Sequence, residues 1–177
     1  LRVYGYVEWV LGNNRAKSAP TIVPFLDART GAMLAQNPYS LDFGDRVAFL
    51  ATDAATQSVT ADRSEFIGLG GSVEMPKAAA SGATLSGKVE AGVDPCAAMA
   101  RDIDVPPGGE VSLLWLLGDA GSAEEASALV EKHKARDFAE RLAETESKWR
   151  GFLDTLQVET PDLAFNAMVN HWLHYQS

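Results

Sequence analysis

Five groups of side chains in this sequence have types and spacings from which chemistry could be built. The single thiol, Cys96, lies in the stretch TLSGKVEAGVDPCAAM, residues 84–99. A reactive cysteine needs a cation or base that holds the thiolate. Ala91, Ala97 and Ala98 offer neither, so Cys96 reads as a small buried apolar residue. Asp42 and Asp45 form a carboxylate pair in a loop, where such groups hold turns or pair with a neighbour such as Arg46. Asp102 and Asp104 share one face of an extended chain. Inverting glycosidases hold two carboxyls about 6.5–9.5 Å apart, but Arg101, Ile103 and the turn that follows mark no cleft, which leaves these two as solvent-facing carboxylates. Gly68, Gly70 and Gly71 would suit a phosphate cradle if a helix N-terminus followed. Pro76 and an alanine-rich loop follow instead. His171 and His174 stand three apart and could touch a common metal, yet no third ligand accompanies them and metal sites need three or four. These groups supply no catalytic residue, no metal site and no cofactor site. The remaining candidate is Tyr39, a flat ring in a loop on which a sugar could stack.

The elements that must position these residues follow from hydrophobic periodicity. Residues 2–11, RVYGYVEWVL, place Val3, Val7, Trp9 and Leu11 on one parity, which predicts a strand with one buried face. Gly12-Asn13-Asn14 ends it. Thr21–Leu26 reads as a strand edged by Pro24, and Ala32–Gln36 as its return in a hairpin. Short strands are expected at Arg46–Leu50 and Gln57–Thr60. The 84–99 stretch reads as strand, tight buried turn and strand, because Gly87, Gly92 and the Asp94-Pro95 step allow close backbone approach and bias the chain to extended geometry; the second strand continues to Val105. Pro106-Pro107-Gly108-Gly109 is a turn, and Glu110–Leu117, EVSLLWLL, reads as a central strand covered on both faces.

At Gly118 the period changes from two to 3.6. Ser122 with Glu125 has the spacing of a capping box, which predicts a helix over 122–133. After a break near Lys134–Arg136 a second helix, 136–155, carries Phe138, Leu142, Thr145, Trp149, Phe152 and Leu156 on one stripe. A third, 161–176, starts with Thr160 as N-cap and Pro161 in the first turn; its stripe of Phe165, Met168, Val169, Trp172 and Leu173 reads as core. The fold class is therefore mainly β with C-terminal helices (α+β): an antiparallel β-sandwich portion, then helices.

Composition narrows the function classes. The 177 residues carry a formal charge of −9, which argues against a nucleic-acid surface. One cysteine excludes an internal disulfide framework. No apolar run reaches the roughly 18 residues of a membrane span. The chain begins inside a strand pattern and ends inside a helix pattern, and so reads as a piece of something longer.

The 84–99 stretch resembles a recurrent segment of the family 94 glycoside phosphorylases, in particular their branch at the C-terminus of cyclic β-1,2-glucan synthases. Further segments fit in the same order: YVEWVLG at 6–12, NPYSLDFGDRVAFLA at 37–51, EFIGLGGSVEMPKA at 65–78 and LQVETPDLAFNAMVNHWLHYQ at 156–176. Where the family often has Arg-Asn after EFIG, this chain has Leu69-Gly70, a departure that bears on any polar contact from that loop. The resemblance implies a supersandwich (galactose mutarotase-like) portion over 1–120, a helical linker over 121–157, and the first helix of a truncated (α/α)6 barrel over 158–177. It places the catalytic acid and the phosphate-binding groups beyond Ser177, so no catalytic residue maps here.

The implied function is a non-catalytic fragment of a glycosyltransferase or glycoside phosphorylase that supports the barrel and binds glucan. The alternatives are a fragment of a cellobiose- or chitobiose-type disaccharide phosphorylase, or a self-standing carbohydrate-binding module. The expected partner is β-glucan in the parent protein, with no nucleic acid, no membrane insertion of this piece, and self-association through exposed strand edges and the last helix. The expected location is a soluble domain on the cytoplasmic side of a bacterial inner-membrane parent.

Overall fold

The computed structural model describes residues 1–175. By contacts it divides into a unit from Leu1 to Lys134 and a second that starts at Ala135.

The first unit contains two antiparallel sheets. One has the order β1 (Arg2–Glu8), β6 (Pro95–Asp102), β5 (Ser58–Asp62). The other runs β2 (Val23–Leu26), β3 (Met33–Gln36), β4 (Val47–Thr52), β7 (Trp115–Ala120). Side chains alternate across a strand, and here both faces are used. Met33 and Ala35, Ala48 and Leu50, Val59 and Ala61, and Ala97 and Met99 face inward between the sheets, with Trp9 and Ile22. The opposite parity of β3 and β4, Leu34, Val47, Phe49 and Ala51, packs under Ala126 and Val130 of α4 (Ala123–Lys134). The opposite parity of β6, Cys96, Ala98 and Ala100, packs under Phe66, Ile67 and Ala78, carried by or adjoining the short helices α2 (Arg63–Phe66) and α3 (Lys77–Ser81). Being covered on both faces is why β6 reads CAAMA. Cys96 is fully buried, and burial raises its thiol pKa, so thiolate chemistry is disfavoured there.

Several expectations are corrected. β1 ends at Glu8 rather than Leu11 and is part-buried along its whole length, and β6 ends at Asp102 rather than Val105. The strand expected over 110–117 lies at 115–120 and forms a sheet edge, with Leu117 exposed. Its partner β4 decides this: Thr52 pairs with Trp115, a last bond runs from Asp53 N to Leu114 O at 3.2 Å, and no further β4 residue remains to pair. The first half of 84–99 makes no regular strand; it touches β5 through Gly87 N to Val59 O, 2.8 Å, and Ala61 N to Lys88 O, 2.7 Å. Three short helices are absent from the sequence reading: α1 (Arg15–Ser18), which follows Asn14, and α2 and α3.

The capping box forms: Ser122 Oγ accepts from Glu125 N at 3.1 Å, and Glu125 accepts from Gly121 N at 2.8 Å. In the second unit, Asp137 caps α5 (Phe138–Leu153). The last helix is capped by Asp162 rather than Thr160; it runs as α6 (Leu163–Ala167), then a π turn at Met168–Trp172 and a 3-10 turn at Leu173–Tyr175. Gln176, the end of the expected helix, lies outside the described residues. Asn166 and Asn170, one turn apart, clasp the preceding segment: Asn170 bonds Val158 N at 2.8 Å and Val158 O at 2.9 Å, and Asn166 does the same for Thr160. The stripe expected as core is exposed at Phe165, Met168, Trp172 and Leu173, and α5 buries no residue. A helix keeps its stripe dry only where another element covers it. No helix among the described residues is long and apolar enough to cross a membrane.

Candidate functional site

Most of the sequence candidates separate in space. Asp42 and Asp45 are exposed turn carboxylates, and the partner of Arg46 is neither of them but Asp119 on β7. Asp102 does not form an acid pair with Asp104. Its carboxylate receives two parallel bonds from Arg2, 2.6 and 2.7 Å, and that guanidinium holds its pKa below the ordinary value. Gly68 and Gly70 adopt left-handed φ values of 95° and 69° in the loop after α2. The N-terminus of α3 does lie beside Gly68, where a Cβ would sit 3.3 Å from Lys77 Cβ, but α3 has only 5 residues and Lys77 N donates to Ile67 O at 3.1 Å, so that amide is not presented to a phosphate. His174 packs edge-on against Phe152 with centroids 5.4 Å apart. Among the described residues no three His, Cys, Asp or Glu converge on a metal position.

Tyr39 and Asp42 are the two sequence candidates that line a common groove. Tyr39 is 81% exposed, next to Leu41 and Phe43, which are also exposed. The groove is about 660 Å³, and its walls are two segments distant in sequence. One wall is the turn after β1 with α1: Leu11, Gly12, Asn13, Asn14 and Lys17. The other is the turn after β3, from Asn37 to Phe43. A second cavity of about 310 Å³ shares Leu11, Gly12, Asn37 and Phe43 and ends at Arg46 and Asp119. The lining combines exposed rings, amides and hydroxyls with few charges. That mixture suits a neutral polyhydroxylated ligand: rings offer an apolar face, and amides supply both donors and acceptors.

Each wall is anchored by ionic and hydrogen-bonded contacts. Arg15 of α1 bridges Asp94 and Glu8, the latter at 3.4 Å. Glu8 also accepts from Arg63 Nε at 2.6 Å and from the Tyr6 hydroxyl at 2.8 Å. The Arg63 bond is the main reason its carboxyl is held below the ordinary glutamate value; burial opposes it in part. The other wall is tied down by the Arg46–Asp119 pair and by Gln36, whose amide donates to Gly44 O at 2.7 Å. Between the walls, Asn37 Nδ2 donates to Leu11 O at 2.8 Å. Leu11 has a φ of 36°, the one non-glycine residue in the left-handed region among those described. Backbone strain of this kind concentrates at functional sites.

The sequence reading found Tyr39 but not its groove. Asn14, Asn37 and Leu11 escaped it: Gly12-Asn13-Asn14 and Asn37-Pro38 were legible as turns, and nothing in their local spacing says that the two turns meet.

Comparison with known proteins agrees with this architecture. Residues 1–136 match the glycosyl hydrolase 94 supersandwich domain. Over 177 residues the chain is 44% identical to the cyclic beta-(1,2)-glucan synthase NdvB of Rhizobium meliloti (strain 1021), covering 100% of this chain and 6% of that protein. Over 147 residues it is 30% identical to a 3-O-beta-D-glucopyranosyl-beta-D-glucuronide phosphorylase of Paenibacillus borealis, covering 78% of this chain and 19% of that protein. The chain thus spans a small part of either relative. Its sandwich, its order of elements and these matches together show that the chain belongs to the glycosyl hydrolase 94 family of carbohydrate-active enzymes, within which residues 1–136 are a supersandwich domain.

Proposed function

We propose that this chain is a non-catalytic part of a cyclic β-1,2-glucan synthase, and that it supports a catalytic barrel and holds glucan in the groove beside Tyr39. The proposal takes residues 1–120 as sandwich, 121–157 as linker and 158–177 as the first barrel helix, and sets the parent on the cytoplasmic face of a bacterial inner membrane. The observation that carries the glucan-binding part is the groove itself: an exposed tyrosine on an open groove lined by amides and hydroxyls, with Lys17 and Asp42 as its charged residues. The stronger of the two matches, which spans the whole chain, supports the choice of parent.

The test is calorimetric titration of the chain with linear β-1,2-gluco-oligosaccharides. Millimolar-range binding is expected, with Tyr39→Ala weakening it about tenfold, the equivalent of ~1.4 kcal/mol. Equal affinity in the variant, or no binding by the parent chain, would remove the groove from the reading. The same protein with phosphate and glucan should release no glucose 1-phosphate, because rate enhancement needs a positioned acid and a phosphate clamp. Sugar phosphate formation lost on changing Asp42, Asp45, Asp102 or Asp104 would place an active site in this chain.

A second reading, a disaccharide phosphorylase fragment, is favoured by the match to the Paenibacillus enzyme. Tighter binding of a β-glucosyl glucuronide than of β-1,2-glucan would select it. The proposal also includes self-association. The β7 edge is unpaired on one side, and Phe165, Met168 and Trp172 are exposed on the last helix; both features promote association. Light scattering should show mass above the monomer that rises with concentration. A constant monomer mass would count against it.

A further inference from the structure

We infer that Asn37 is the positioning residue of the groove, setting its width through a bond to Leu11; this rests on the glucan-binding reading above. Asn37 is 7% exposed, and its side-chain partners Leu11, Thr21 and Tyr39 all line the groove. Its Nδ2 donates to Leu11 O at 2.8 Å, across the gap to the β1 side. Its Oδ1 accepts from Thr21 Oγ1 at 2.8 Å and from Tyr39 N at 3.3 Å. Because the donor meets a carbonyl and the acceptor meets an N–H, the amide can point only one way. One side chain therefore sets both the entry of the Tyr39 turn and the left-handed backbone of Leu11, whose φ is 36°. Leucine avoids that region without outside support. Removing the donor lets Leu11 relax to negative φ, and the Gly12–Asn14 wall moves with it. Tyr39 keeps its ring but loses the wall opposite, and a ligand held from both sides is sensitive to such misplacement.

Asn37→Asp isolates this effect. It keeps the size and both acceptor contacts and replaces the donor with an oxygen that repels Leu11 O. Affinity for linear β-1,2-gluco-oligosaccharides should fall about tenfold; the melting temperature falls as well, because a carboxylate at a 7% exposed position facing a carbonyl is costly, while circular dichroism stays that of the folded chain. Glucan-induced amide shifts at Gly12, Asn13 and Asn14 in heteronuclear NMR should shrink, whereas a purely structural role would leave them in proportion to occupancy. Three arms separate the possible failures. If the parent chain binds and Tyr39→Ala does not, but folded Asn37→Asp binds like the parent, the positioning role is wrong and the groove reading stands. If the parent chain does not bind, both fall. If Asn37→Asp fails to fold, Thr21→Val removes the hydroxyl that steadies Asn37 Oδ1; affinity should drop severalfold, and unchanged affinity overturns the inference.

Discussion

Replacing Met99 with alanine should cost about 2–5 kcal/mol, the usual range for removing a fully buried large side chain. Met99 is 0% exposed in β6, the middle strand of its sheet, paired with Gly5 on one side and Val59 on the other. Its inward parity meets Met33, Ala48 and Leu50 of the facing sheet. Neighbours cannot readily close the hole. Gly5 has no side chain to swing in, and the space beside it is taken by Trp115, whose indole a Cβ on Gly5 would overlap. Alanines at 97, 98 and 100 are too short to help. Thermal unfolding followed by circular dichroism should show a fall in melting temperature on the order of 10 °C. Met99→Leu, close in volume, should cost under about 1.5 kcal/mol. Equal melting of the parent chain and Met99→Ala would mean that the two sheets do not share this interior.

Acid should unfold the sandwich through a set of carboxylates that act together. Glu8 and Asp102 are held below their ordinary values first by Arg63 and Arg2 respectively. For Asp27, Asp62 and Glu65 burial pushes upward, yet hydrogen bonds from Thr30, Ser64 and Thr60 and their neighbours outweigh it, so their values are also lowered. Each folded-state value lies below the unfolded one. The stability these groups contribute is therefore complete above the unfolded values, 4.5 for Glu and 3.8 for Asp, and is lost as pH falls through the folded ones. Urea midpoints should fall steadily from about pH 5 downward, with the slope reduced in Glu8→Gln. A flat or rising midpoint over that interval would contradict the network. Glu144, held near 2 by Lys148 and then Arg136, is on α5 in the second unit.

The candidate site was legible only as one residue. An exposed-type aromatic after an Asn-Pro turn pointed to Tyr39, because a ring in a loop has no local partner to bury it. The carboxylate pairs attracted notice through spacing, yet their roles were set by partners far along the chain: Arg2 lies 100 residues from Asp102, and Arg46 lies 73 from Asp119. Asn37 reaches Leu11 across 26 residues. Period and composition report on a residue's own element, and none of these contacts is made within one.

What the sequence by itself determined is local and periodic. The extended character of residues 2–8 and the 23–36 hairpin, the glycine and proline turns, and the Ser122–Glu125 cap each follow from backbone geometry and side-chain type within a few residues. Tertiary structure decided the rest. The apolar run at 110–117 became a strand only where β4 had residues to pair with it, and it became an edge because nothing pairs on its far side. The stretch at 84–94 had the right residues for a strand but aligned with β5 at only a few bonds. The groove exists because the turns after β1 and β3 bring residues 11–17 and 37–43 face to face, with Asn37 bonded to Leu11 across them. Pairing partners and cross-chain hydrogen bonds are chosen by the free energy of the whole packed unit, which no window of sequence contains.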